Sequence, residues 1–523
     1  MISLIVILIS RVILVRLIGS KGVCFFSLSN ELFFLIAGAA SYAIEEAASS
    51  MIENRMNRQQ ITNAKNVALY SIVYALIVGV LAGVILLSLM NSLVNGFFNL
   101  HLSYLSYYFI IPAIPMFILT GAIKGYFKGV NQTAVIMRSQ IVFVVVYSVT
   151  GLIFGFVSMN YGRRVSELLR NEEFSYSYGA MGASIGLLLA SSACLLHMLV
   201  VYFLYSRRTV LGVTKEYSKV VDSPMQIIFN LAATALIPFA LWVVFMLLPI
   251  INIALLFKTG AKDYSLDFSY GEYYGKTTSI TGIIVLLISV FSYAYIRKAI
   301  GAVKREEYRN AREKLKAMIH RCATLSLYAA AMLVILADNI LDTLYASNGE
   351  STALYLQIQA LCILFAVYAV MFTEMMISMQ NHVFALGIAA VSMVVHLIVS
   401  IVFVSTFKLS IIGIILGNLI FFGMYAFISF VFISRAFQYT QEWFRTFVVT
   451  MISALISALI GMLLNKVLSP LVGKGISLVI VLISSTLLYI VIILALKGYQ
   501  EEELEESALG RMVLAIGRAV NLI

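Results

Sequence analysis

Charge is scarce in this sequence. Asp, Glu, Lys and Arg make up 12% of its 523 residues, and 61% are hydrophobic. An ordinary globular domain runs at about 25% charged and about 45–50% apolar. A soluble chain of this length needs several domains with charged surfaces, so that class is excluded and lipid is the solvent. Cysteine is scarce too. Cys24, Cys194, Cys322 and Cys362 stand far apart, without paired or metal-like spacing, which points to buried apolar thiols and no disulfide framework. Five dispersed histidines (His101, His197, His320, His382, His396) form no cluster with them. There is no HExxH and no Walker A stretch, which disfavours metal hydrolysis and ATP hydrolysis within the chain. The expectation is a protein that is not an enzyme and needs no cofactor. For His197 and His396, which fall within apolar runs, a satisfied buried histidine is favoured over a proton relay.

What the chain has in abundance is apolar runs long enough to cross a bilayer, about 20 residues each. Reading them gives about fourteen helices, roughly 2–18, 25–50, 67–89, 104–124, 135–159, 182–205, 227–257, 277–297, 323–345, 354–379, 384–407, 411–433, 443–467 and 476–496. The start, MISLIVILIS, lacks a basic n-region and reads as a retained first span. The seventh helix carries Pro238 and Pro249, where it is expected to bend or break. Loops after even-numbered helices hold 20 Lys and Arg, those after odd-numbered helices 10. This bias places the even loops and both termini in the cytoplasm. The net charge of +11 then reflects loops beside anionic lipid and calls for no nucleic acid. The basic segment 297–321 reads as a cytoplasmic linker with a short surface helix. The tail from 498 to 523 is acidic, then amphipathic, and is expected at the inner surface.

Two helices begin alike. MGASIGLLLA carries Gly182 and Gly186, and IIGIILGNLI carries Gly413 and Gly417, each pair four apart. Small residues at this spacing let helices approach closely in lipid, and their recurrence six helices on suggests a duplication. The expected organisation is an N-terminal six-helix bundle over 1–210, a second over 220–437, two appended helices over 438–497 and the tail over 498–523. The substrate path of repeated transporters usually runs between the halves.

A charge at the centre of a span costs about 2.5–3.5 kcal/mol on insertion scales and marks a functional candidate. The candidate cations are Arg11, Arg16, Lys124, Lys128 and Arg138; the candidate cavity or coupling acids are Glu31 and Glu374. Arg16 is near enough to a helix end to snorkel, and Glu45 and Glu46 approach the inner interface. Glu374 is read equally as a hydrogen-bonded structural carboxyl or a cavity acid. The lysines of TGAIKGYFKGVNQTAVIMRSQ fit a cytoplasmic hairpin and its glycines a tight turn, which leaves Arg138 as the stronger functional candidate there. Cations lining a cavity suit a phosphate or diphosphate.

Four stretches carry a family resemblance: SRVILVRLIGSKGVCFFSLSNELFFLI, SYAIEEAASSMIENRMNRQQ, TGAIKGYFKGVNQTAVIMRSQ and SVFSYAYIRKAIGAVKREEYRNARE. With the 6+6+2 layout they resemble the multidrug/oligosaccharidyl-lipid/polysaccharide flippase superfamily, above all its polysaccharide-transporter and stage V sporulation protein B branch, near the lipid II flippases. Lys124 to Gly129 stands where that family has RGxFQG, and Ser139-Gln140 on its Ser-Gln pair. Phe143 stands where the family often has Glu. Arg11 is the nearer match to the central cavity arginine of lipid II flippases, while Glu45 and Glu46 occupy the region of their second one. The resemblance implies an all-α, MATE-like membrane protein, a monomer in a bacterial plasma membrane. It also implies a flippase that moves an undecaprenyl-diphosphate-linked oligosaccharide or wall precursor by alternating access, coupled to H+, Na+ or the membrane potential. A cation-coupled multidrug antiporter of the same fold is the first alternative and a membrane polysaccharide polymerase the second. The external loops, about 160–181 and 258–276, are modest for a polymerase. The Tyr-rich one (Tyr264, Tyr270, Tyr273, Tyr274) reads as an interfacial belt or a sugar-stacking surface.

Overall fold

A computed structural model describes residues 2–210, 221–259, 265–345, 348–499, 504 and 508–519. The described residues form helices joined by short turns, without strands. The helices are α1 (Ile2–Phe33), α2 (Ala39–Asn57), α3 (Ile61–Asn91), α4 (Tyr104–Gly129), α5 (Thr133–Leu169), α6 (Glu173–Val210), α7 (Pro224–Thr259), α8 (Leu266–Glu272), α9 (Thr278–Lys304), α10 (Tyr308–Ile335), α11 (Ala337–Leu344), α12 (Thr352–Ala360), α13 (Cys362–Ser378), α14 (His382–Ile401), α15 (Ser410–Phe437), α16 (Thr450–Val472), α17 (Lys474–Ala495) and α18 (Ala508–Ala519).

Twelve helical runs among the described residues are long and apolar enough to cross a membrane, and the pair α12–α13, bent by 46°, makes a thirteenth. One run, Ser3–Asn57, is 55 residues long. At about 1.5 Å per residue it is nearly three times the length a bilayer core requires. It breaks at Gly19, whose φ of +72° glycine adopts without steric cost. The twelve or thirteen candidate spans are close to the fourteen expected.

The chain divides into two compact units, residues 2–275 and 276–523. In the first, α2 and α4 cross on glycines. A Cβ at Gly125 would meet Ala48 at 2.8 Å, one at Gly129 would meet Ile52 at 2.8 Å, and one at Gly121 would overlap Ser41. These glycines, expected to make a turn, are a helix-packing stripe; the turn itself is made at Asn131, with φ +58°. The core beside it joins Ala47 and Ile52 of α2, Val67 of α3, Phe127 of α4, Met198 of α6 and Ile227 and Leu231 of α7. The sequence repeat places α7 with the second half, yet its apolar face completes this core. α7 also runs unbroken through Pro238 and Pro249. α5 and α6 cross where a Cβ at Gly182 would overlap Phe154 and one at Gly186 would overlap Gly151.

In the second unit, Gly413 packs on Phe403 and Gly417 on Ser400 and His396, so both glycine pairs serve close helix approach. His396 is fully buried there, with Nδ1 3.3 Å from Ser400 Oγ. The segment 297–321 is not a linker with its own surface helix. α9 extends to Lys304 and α10 starts at Tyr308, so the apolar spans continue as helix into the polar zone. Arg309 and Glu313 form one i,i+4 pair on the outside. Asp338 and Asp342 lie on the short α11.

Two outcomes follow from this packing. Gly186→Leu should destabilise the protein by about 1–3 kcal/mol through overpacking. Gly423→Leu, with nothing within 4 Å of its Cβ position, should change the thermal midpoint in detergent little. On α11, Lys474 Nζ donates to Asp342 at 2.9 Å and holds its carboxyl below the usual carboxylate range. A lowered folded pKa contributes stability above the unfolded value, about 3.9, and loses it as pH falls through the folded one. Because the pair is exposed, the effect is below about 1 kcal/mol. The midpoint difference between wild type and Asp342→Asn should shrink to nothing as pH is lowered through that range.

Candidate functional site

Arg11 is carried into the first unit by α1, half-buried, in a run with no other charge from Ile2 to Val15. Its guanidinium lies 5.8 Å from the centre of the Tyr274 ring and 5.9 Å from that of Phe26. It hydrogen-bonds Tyr274 and acts electrostatically on Glu31 and Tyr147. The same helix, two residues from its end, presents Glu31. Tyr274 Oη donates to Glu31 Oε1 at 2.5 Å. Asn30 Nδ2 donates to Tyr274 Oη at 3.0 Å and to Glu31 at 3.4 Å. Cation, phenol, amide and carboxylate thus form one polar cluster at membrane depth. Charge compensation and hydrogen bonding together make such a cluster tolerable in lipid. Within this unit Arg11 also borders a small cleft with Ser10, Tyr147 and Ser148, about 10 Å³, room for about one water.

The Tyr-rich segment supplies part of this cluster, neither as a belt nor as a sugar-stacking surface. Tyr270, Tyr273 and Tyr274 are 1%, 5% and 7% exposed. They sit on a helical segment pressed against α1, so close that a Cβ at Gly271 would overlap Ser20. Glu272, fully buried, accepts from Ser20 Oγ. Tyr264 lies outside the described residues.

A second polar cluster joins α2 and α4. Lys128 Nζ pairs with Glu46 Oε1. Lys124, buried, acts electrostatically on Glu45, and its Nζ lies 5.8 Å from the centre of the Phe117 ring. The two glutamates that stand in the region of the family's second cavity arginine therefore balance the two lysines. The stripe of Gly121, Gly125 and Gly129 brings the helices close enough for it.

Rings connect the two clusters. Phe117 lies 5.3 Å from Phe33 and 5.5 Å from Phe143, and Phe143 stacks on Tyr147 at 6.2 Å. Lys124 thus rests on one end of a half-buried aromatic wall and Arg11 meets its other end at Tyr147. Phe143, where the family often has an acid, is a link in it.

Arg16 is exposed on α1. Arg138 is exposed on α5, because the neighbouring Ser139 is buried against α6, where Cys194 Sγ donates to its carbonyl at 3.4 Å. Glu374 belongs to the second unit, half-buried on α13.

No family model matches the chain. It is similar to Stage V sporulation protein B of Bacillus subtilis (strain 168), 18% identical over 359 residues. The match spans 67% of this chain and 65%, less than two thirds, of that protein. Its fold is similar to that of the lipid II flippase MurJ in an inward closed conformation. The TM-score is 0.66 at 13% identity, covering 94% of this chain and 96% of the other. It is similar too to an inward-facing multidrug resistance MATE family transporter of the MOP superfamily. There the TM-score is 0.65 at 15% identity, covering 83% of this chain and 94% of the other. At these identities the two structures establish the fold.

Proposed function

We propose that this multi-pass membrane transporter, which has the MATE-like fold of the MOP superfamily, is a flippase for a lipid-linked saccharide whose carrier is a diphosphate. The observation that carries the reading is Arg11. A guanidinium in the middle of an apolar helix, oriented by Tyr274 and balanced by Glu31, supplies five donors in a fork suited to phosphate. The aromatic wall from Tyr147 to Phe117 presents flat apolar faces beside it, and Lys124 lies at the far end of that wall. In this reading the diphosphate is received at Arg11 and passes within reach of Lys124. Arg16 and Arg138, both exposed, are proposed as later or entry contacts, and Lys128 as chiefly structural. Alternating access of the two halves would expose the site to each side in turn. Glu31, and Glu374 in the second unit, are the carboxyls proposed to couple movement to H+ or Na+; the membrane potential is the other energy source. The similarity to Stage V sporulation protein B and to the lipid II flippase fold supports a bacterial plasma-membrane flippase, which we propose works as a monomer.

One observation favours a second reading, a cation-coupled multidrug antiporter. Glu31 is a carboxyl within an apolar span that accepts from the phenol of Tyr274, and a carboxylate beside an aromatic ring suits an organic cation. Efflux of a lipophilic cationic dye from a sensitised host separates the two. The flippase reading expects no efflux, and efflux that disappears with Glu31→Gln would favour the antiporter.

A further inference from the structure

A sugar joined to the diphosphate also needs a surface, and the tyrosines of 270–274, buried against α1, do not offer one. Tryptophan is rare here: the chain has two, Trp242 and Trp443. Membrane tryptophans favour the two lipid–water interfaces. Trp242 stands instead at the middle of α7, about 25 Å of helix from either end. Nor is it on the lipid-facing side. Leu231, Ala235, Pro238 and Trp242 follow the i, i+4, i+7, i+11 spacing of one helix face. The first three are buried on the side that packs on α2, while Phe229 and Leu236, turned away from it, are 71% and 65% exposed. Trp242 shares the inner face and is only half-buried. The packing that closes over its neighbours leaves room at the indole.

The indole is also held in place. The Tyr42 ring of α2 lies 5.2 Å away, tilted by 30°. Trp242 Nε1 donates to the Phe34 carbonyl at 3.4 Å. Phe34–Gly38 forms a π-turn between α1 and α2, wider than an α-turn, and such turns are frequent at functional sites. A Cβ at Gly38 would meet Trp242 Nε1 at 3.3 Å, so glycine there makes room for the ring. Phe34 lies 6.2 Å from Phe117, the ring on which Lys124 rests. Two aromatic arms therefore start at Phe117. One runs through Phe143 to Tyr147 beside Arg11, and the other through Phe34 to Trp242.

We propose that Trp242 is the specificity-determining residue on which the first sugar of the saccharide stacks. The C–H face of a pyranose ring is apolar and slightly positive, and the face of an indole is flat and negative. The sugar is joined directly to the diphosphate, and the indole lies two ring contacts from Lys124, a cation proposed to meet that diphosphate. This inference rests on the flippase reading and adds to it the group that recognises the sugar.

The test titrates the full chain in neutral detergent, by calorimetry, with two probes: geranyl diphosphate, and geranyl diphosphate carrying one N-acetylglucosamine. Stacking reads the face of the pyranose rather than its substituents, so one sugar serves. The parent should bind the sugar-bearing probe about tenfold more tightly than the bare one. Trp242→Leu should lose that preference and still bind geranyl diphosphate within about twofold of the parent. Trp242→Phe, with a smaller ring, should keep about a threefold preference. Arg11→Ala should weaken both probes together and leave the preference intact. In a Trp443→Phe protein Trp242 is the one remaining indole, and its emission should shift with the sugar-bearing probe and not with geranyl diphosphate. If Trp242→Leu does not fold, Trp242→Phe and the emission carry the test. The inference alone is overturned if both probes bind through Arg11 and the parent shows no preference, if Trp242→Leu keeps the preference, or if geranyl diphosphate shifts the emission as much. Failure of both probes to bind the parent would overturn the flippase reading, and this inference with it.

Discussion

Arg11→Ala should lower translocation of a diphosphate-linked lipid about a hundredfold. A hydrogen bond to a charged group contributes about 1.5–3 kcal/mol, and each 1.4 kcal/mol is a factor of ten. A guanidinium that grips a diphosphate makes at least two such bonds. Arg11→Lys keeps the charge but loses the fork, and should retain a tenth or so of the parental rate. The complication is Glu31, which the alanine variant leaves without its cation. The double variant Arg11→Ala/Glu31→Gln removes that liability. If Arg11 receives the substrate, the double variant should recover thermal stability in detergent yet remain slow. Recovery of transport along with stability would mean that Arg11 only balances Glu31.

Lys128→Met should have the opposite signature, a loss of stability with transport per folded molecule retained. The Lys128 and Glu46 side chains are 38% and 21% exposed, between a surface pair worth about 0–1 kcal/mol and a buried pair whose rupture costs about 3–5 kcal/mol. A loss of about 1–3 kcal/mol is expected. Glu46→Leu/Lys128→Met, which leaves no stranded charge, should recover most of it. A folded Lys128→Met protein that cannot transport would make Lys128 a substrate contact instead.

These two clusters also mark how far the sequence was legible. Apolar runs located the spans, because lipid requires each to be long and nearly uncharged. Gly182, Gly186, Gly413 and Gly417 revealed their packing role through a spacing of four. What local pattern could not reveal was partnership at long range: Glu31 meets Tyr274 across 243 positions and Glu46 meets Lys128 across 82. A signal for the second pair did exist. Lys124 and Lys128 are four apart, in step with Gly121, Gly125 and Gly129, so cations and glycines share adjoining faces of α4, close to α2 with its adjacent glutamates. Hydropathy also ends a helix where it becomes polar, which is why α9 and α10 looked like short spans with a linker between. The backbone had no such reason to stop, since polar residues such as Arg309 and Glu313 continue a helix well. The tyrosines of 270–274 were misplaced for a related reason: a segment with few long apolar residues reads as a loop, yet small residues such as Gly271 let it press against α1.

The central claim is that Arg11 receives a diphosphate-bearing lipid during transport. Its most direct test reconstitutes the purified chain in vesicles holding a fluorescent undecaprenyl-diphosphate-linked saccharide and follows the label as it becomes accessible on the opposite leaflet. The account predicts protein-dependent translocation by the parent, about a hundredfold slower with Arg11→Ala and still slow with Arg11→Ala/Glu31→Gln. Translocation at the parental rate by a folded Arg11→Ala protein would contradict it.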